Sequence, residues 1–203
     1  MLDIKLNKKQ LITFFSLFII ITGIFGWVYE VLFYYLNSGF ETFYLRGRNF
    51  LPWINIYVYG GLLIFFLAYK YRKKPKLVLL ISMISTGILE FLTGYILYGK
   101  LGWTKYWDYN KEILNFGNIG GYICLRSVIV FGICGILLVY VIIPLLLKIV
   151  NTKYIKVLFI ISIILCSIFL IDEIYNLFIY KIFNLSNAIE IYKSLGFKYM
   201  IFS

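Results

Sequence analysis

The chain has 203 residues, of which 62% are hydrophobic, 21% aromatic and only 14% charged. Ordinary soluble domains are nearer half apolar and about a quarter charged, so this composition excludes a soluble globule and points to an all-α polytopic membrane protein in contact with the lipid bilayer. The net charge of +11 would suit nucleic acid in a soluble protein. Here the basic residues lie mostly in short segments between apolar runs, where they meet anionic headgroups and set topology, and no nucleic-acid partner is expected.

Histidine is absent, which removes the commonest general base and metal ligand and with it zinc-hydrolase and Ser-His-Asp chemistry. Cys124, Cys134 and Cys166 fall in apolar runs without a Cys-x-x-Cys pair and read as small buried hydrophobes. No catalytic residue, metal or cofactor is expected. The first apolar run is too long for a signal-peptide core and lacks a small-residue cleavage site, so it reads as an anchor.

A helical crossing takes about 20 predominantly apolar residues. Five runs qualify, 11–36, 53–69, 77–98, 122–147 and 155–180, forming one transmembrane domain over 1–203. The first carries Ser16, Gly23, Gly26 and Glu30 on one stripe and ends at Tyr34 and Tyr35. The second is short, starts just after Pro52 and opens with Trp53, Tyr57 and Tyr59. The third aligns Ser82, Thr86, Glu90 and Thr93, with Gly87 and Gly94 beside them, and ends at Tyr95 and Tyr98. Aromatics at span ends suit the headgroup layer, and small or hydroxyl residues let helices approach in lipid. The connection 99–121 holds a dense aromatic patch over 102–109; Trp103, Trp107 and Asp108 are candidates either to anchor on headgroups or to cap a polar cavity. Its asparagines and glycines from 110 to 121 supply turn chemistry. The fourth span contains Arg126, and the fifth aligns Ser162, Cys166, Phe169, Glu173, Asn176 and Tyr180. The stretch 184–203 is too polar to cross. Asn187 with Glu190 forms a capping pair there, followed by Ile189, Tyr192 and Leu195 at helical spacing, so it reads as a short interfacial helix or a frayed tail.

Glu30, Glu90, Arg126, Asp172 and Glu173 are charges inside the apolar runs, where ionised groups are costly and usually paired, hydrated or functional. With alternating spans and a 1.5 Å rise, all five lie about 6–12 Å from one membrane face. Eleven basic residues flank the spans on the N-terminal side and eight on the other, so a cytoplasmic N-terminus is expected and the charges fall in the outer half. Arg126 can pair with Glu30 or Glu90; any surplus carboxylate must be protonated, hydrated or matched by a cation. The cluster then reads as a lock between helices, a substrate-binding cavity, or a site coupled to protons or metal cations. Glu90→Gln is expected to cost more than Glu112→Gln in the loop.

Gly26-Trp27-Val28-Tyr29-Glu30, Leu45-Arg46-Gly47 before Tyr59-Gly60, the run from Gly87 to Gly94, Trp107-Asp108-Tyr109, and Ile123-Cys124-Leu125 followed by Ser127 form an ordered set over roughly 15–150. This set resembles a family of bacterial membrane proteins, the CmpB-like permeases described as ABC-transporter type IV. The chain departs from that pattern in Arg48-Asn49-Phe50-Leu51-Pro52-Trp53, where the family is Gly-Pro-rich, and in Gly121-Tyr122, where it carries Gly-Arg; Arg126 stands one turn displaced. The fifth span and tail lie outside the resemblance. It implies a permease-like subunit of an ABC-type transporter in a bacterial cell membrane. The chain lacks Gly-x-x-x-x-Gly-Lys-Ser/Thr, so such a role requires a separate ATPase subunit, and five spans imply a homo- or hetero-oligomer. The alternative is a non-transporting scaffold or regulatory partner whose buried charges hold helices together. An intramembrane enzyme using a carboxylate pair has the least support, and the chain is expected not to be an enzyme.

Overall fold

The computed structural model describes residues 5–202, which form helices and loops with only isolated bridges between extended segments. Helix α1 (Lys8–Asn37) is capped reciprocally: Asn7 Oδ1 accepts from the Gln10 amide and Gln10 Oε1 from the Asn7 amide. Helix α2 (Asn55–Leu67) is shorter, and α3 (Pro75–Lys100), α4 (Leu125–Val150) and α5 (Ile155–Ile182) follow. The last, α6 (Ala188–Ser194), begins with the Asn187–Glu190 capping pair expected from the sequence. Among the described residues four helices are thus long and apolar enough to cross a membrane. Helix α2, apolar but with 13 residues, is too short on its own, at about 20 Å against a hydrocarbon core of about 30 Å.

The described residues group into two compact units, dividing within α2 and within α4. The first covers Tyr59–Leu145 with residues 201 and 202 and centres on α3 against α4. Small residues allow this contact. A Cβ at Gly135 would collide with the Ser82 side chain, and one at Gly132 with Met83. The opposite faces are exposed and apolar: Leu80, Ile84, Ile88, Leu92 and Ile96 recur every fourth residue on α3, as do Leu125, Ile129, Ile133 and Leu137 on α4. A stripe of that period and chemistry is a lipid-facing surface. Within α4 the turn 138–142 widens to a π-helix just before Pro144. Proline has no amide hydrogen and its ring crowds the carbonyl four residues back, so the widened turn is where α4 absorbs it.

The second unit covers 5–58 and Leu146–Met200 and centres on α1 against α5. Gly26 is required by closeness, since a Cβ there would overlap the Tyr57 ring. The loop before α2 explains that helix's shortness. The Phe50 and Leu51 amides donate to the two oxygens of Asp172 at 2.9 and 3.1 Å. Asp172 is ten residues, about 15 Å, before the end of α5. The chain therefore reaches that depth as loop and has less distance left to cover as helix. Nor is the C-terminal stretch frayed: Tyr192 Oη donates to the Phe50 carbonyl at 2.7 Å and the Ala188 amide to Asn176 Oδ1 at 2.9 Å.

Candidate functional site

In the first unit the buried charge on α3 is Glu90, on the stripe with Ser82 and Thr86. Tyr109 Oη donates to Glu90 Oε1, and Ser127 Oγ lies 2.7 Å from Oε2. The Ser127 hydroxyl is also 2.8 Å from the Cys124 carbonyl, with one proton to give. Burial, and then the Glu90 charge, push the Tyr109 phenol well above its ordinary range, so it stays protonated and acts as a donor. Arg126 is the second residue of α4 rather than the fifth of a span starting at 122, because 122–124 are still loop. Its guanidinium donates to Glu112 Oε2 and to the Ile113 carbonyl, both at 2.7 Å, and lies 5.2 Å from the Tyr109 ring centroid. Glu112, expected to be an indifferent loop residue, is buried and paired, so it does not serve as a neutral comparison for Glu90.

The aromatic patch over 102–109 is built inward. Trp107 Nε1 donates to the Tyr122 carbonyl at 3.0 Å, and its ring meets Tyr98 edge-on. Asp108 is buried and accepts from Lys105 Nζ at 3.0 Å and from the Asn110 amide and Nδ2 at 3.1 and 2.9 Å. Burial alone would raise its carboxyl pKa, but the Lys105 and Asn110 interactions outweigh it and hold it below 3.8. Gly121, at φ +80°, passes against this group, and a Cβ there would strike Asp108 and Asn110. Within this patch Tyr109 is the residue that meets Glu90, while Trp107 and Asp108 tie the patch together through Tyr122, Lys105 and Asn110. Trp103 lies at its edge, with its amide donating to the Leu97 carbonyl at 2.9 Å.

In the second unit Glu30 Oε2 pairs with Arg46 Nε at 2.8 Å. Arg46 also donates to the Met200 carbonyl at 2.6 Å, and its guanidinium carbon lies 4.1 Å from the Tyr34 ring centroid. Glu173 accepts from Arg48 at 3.3 Å and from the side-chain amides of Asn49 and Asn55. Asp172 takes the Phe50 and Leu51 amides together with Asn176 Nδ2 at 2.8 Å. These two carboxylates hold the 48–51 stretch and the start of α2 against α5. Among the described residues no cluster of three or more acidic or thiol groups has the arrangement of a metal site.

The structure places Glu90 and Arg126 in one unit and Glu30, Asp172 and Glu173 in the other. The groups that meet them are ones composition does not single out: Tyr109 for Glu90 and Glu112 for Arg126 in one unit, and Arg46, Arg48, Asn49 and Asn55 with the Phe50 and Leu51 amides in the other. Arg46 did carry a signal, since it lies within the Leu45-Arg46-Gly47 motif, but by position it counts only as a topology charge.

Long lipid-facing helices with carboxylates held below their ends define an all-α membrane protein. The chain belongs to the family described as "Putative ABC-transporter type IV", whose model matches residues 16–177. That match extends beyond 150 to include Asp172, Glu173 and Asn176, so α5 falls inside the family pattern, not outside it. No curated protein and no solved structure matches the chain.

Proposed function

We propose that this chain is the permease-like membrane subunit of an ABC-type transporter, driven by a separate ATPase. The observation that carries this reading is the family match over 16–177. The chain itself lacks a phosphate-binding loop and supplies membrane helices and buried polar groups, so its role is non-catalytic and its assembly is with itself or with other subunits. The excess of basic residues supports a cytoplasmic N-terminus in a bacterial cell membrane, which puts the polar region around Glu90 in the outer half of the bilayer. The test is purification from native membrane followed by reconstitution. The reading expects a Walker-motif ATPase to co-purify and its turnover to rise when this chain is present. Absence of such a partner, with no stimulation of any neighbouring ATPase, would overturn it.

A second reading has its own support. Glu30 with Arg46, and Glu173 with Arg48, are assembled ion pairs joining a helix to a loop, as expected of a scaffold or regulatory partner whose charges lock its elements. That reading expects a stable partner protein whose retention is independent of ATP.

A further inference from the structure

The loop between α3 and α4 buries Asp108, Tyr109 and Glu112 and leaves a run of apolar side chains facing outward. Ile113, Leu114, Phe116 and Ile119 are all exposed, Leu114 at 62% while held in left-handed backbone at φ +52°. Four such side chains within seven residues would be an odd choice for a loop bathed in water.

The level of the loop is fixed by Glu90. Because Ser127, in the first turn of α4, bonds Glu90, α4 begins beside the middle of α3's outer portion. Helix α3 continues ten residues, about 15 Å, past Glu90. Its lipid-facing stripe includes Leu92 and Ile96 on that stretch, so lipid reaches at least about 9 Å beyond the level where α4 starts. The loop is tied to the same level: the Leu125 amide donates to the Phe116 carbonyl at 3.0 Å, and Arg126 holds the Ile113 carbonyl. The apolar loop residues therefore adjoin Leu125, the first member of the α4 lipid stripe.

Non-helical backbone at membrane depth is tolerated only where its polar groups are satisfied within the protein. This loop meets that condition at many positions. The Ile119 amide donates to the Ile123 carbonyl at 2.9 Å, the Tyr122 amide to Ile119 at 3.1 Å, the Asn118 amide to Asn115 at 3.1 Å and the Tyr109 amide to Gly121 at 3.1 Å. Side chains do the rest, with Asn115 Nδ2 donating to the Tyr109 carbonyl and Asn118 Oδ1 accepting from the Gly121 amide.

We propose that residues 113–119 form a wedge seated among the acyl chains of one leaflet, continuing the lipid-facing surface of α4 and clamping the lid that carries Tyr109 onto Glu90. The occupant is lipid because the patch runs directly into a lipid-facing stripe at the same level. This inference does not depend on the transport reading.

The test uses the full-length chain in nanodiscs, with Leu114→Cys and Phe116→Cys each labelled with an environment-sensitive fluorophore. The parent protein serves as labelling blank and Thr152→Cys, in the exposed 151–154 turn, as the aqueous reference. At Leu114 and Phe116 the emission should shift to the blue. Lipids carrying a nitroxide high on the acyl chain should quench several-fold more than at Thr152, and iodide several-fold less. Iodide quenching equal to that at Thr152 would overturn the proposal in favour of an aqueous loop. Protection from both iodide and nitroxide lipid would overturn it in favour of a protein-covered face. Phe116→Cys keeps the test open if the strained Leu114 position does not accept substitution.

Discussion

Replacing Arg46 by alanine would strip Glu30 of an ion-pair partner at 2.8 Å, leave the Met200 carbonyl without its 2.6 Å donor and empty the space beside Tyr34. Arg46 is only 2% exposed and the Glu30 side chain 14%, so water replaces only part of what is lost. Removing one member of a buried pair costs about 3–5 kcal/mol, chiefly because the other charge stays buried. For a chain of this size each kcal/mol moves the unfolding midpoint by about 2–4 °C, so the variant should melt roughly 6–20 °C lower. Thermal unfolding of the reconstituted protein, followed by size-exclusion fluorescence, measures this directly. Glu30→Gln should fall in the same range. The double variant Glu30→Leu with Arg46→Met should recover much of the loss, because no unpaired charge remains. Single variants melting within about 2 °C of the parent, or a double variant whose loss equals the two singles added, would refute the claim that the pair is desolvated and coupled.

Tyr109→Phe removes one donor from a buried carboxylate and should destabilise by about 1.5–3 kcal/mol, whereas Tyr154→Phe on the exposed turn should melt like the parent. Gly135→Val drives a side chain into Ser82 and should cost about 1–3 kcal/mol or more, read from melting midpoints or from loss of monodisperse protein. Asp108 has a folded carboxyl pKa below its ordinary 3.8, so its contribution is complete above about pH 4 and fades as the pH falls through the depressed value. Protection factors across 105–121, corrected for the intrinsic pH dependence of amide exchange, should fall over that acid range in the parent, while Asp108→Asn should be less protected at neutral pH and lose the acid dependence attributable to this group.

The spans were legible because residues such as Leu80, Ile84 and Ile88 belong to runs that stay predominantly apolar on every face for about 20 residues or more, which a soluble helix does not. Glu90, Glu30, Asp172 and Glu173 stood out because an acid among isoleucines and phenylalanines is costly wherever lipid surrounds it. Their partners were hidden for the converse reason. Polar residues such as Asn49 and Glu112 sit in loops, where polarity is expected and so carries no signal. Hydropathy also treats every loop as lying outside the membrane. It therefore misses that 46–55 reaches the level of Asp172, that α4 starts beside Glu90, and that Arg126 accordingly sits at a helix start with Glu112 rather than a turn inside a span. The aromatic run over 102–109 reads from composition as either a headgroup anchor or a cap, and what composition does not show is that Trp107 and Tyr109 use their polar tips internally.

The seam made by Gly132 and Gly135 against Met83 and Ser82 constrains how the molecule can work. Two helices that touch through absent side chains have no slack for one to roll or ratchet along the other. Probes at Ile88 on α3 and Ile133 on α4 should therefore keep a constant separation through any working cycle. The pair behaves as a single lever, and its pivots must be sought at its ends, beginning with the tight turn Tyr69–Tyr71 that leads into α3.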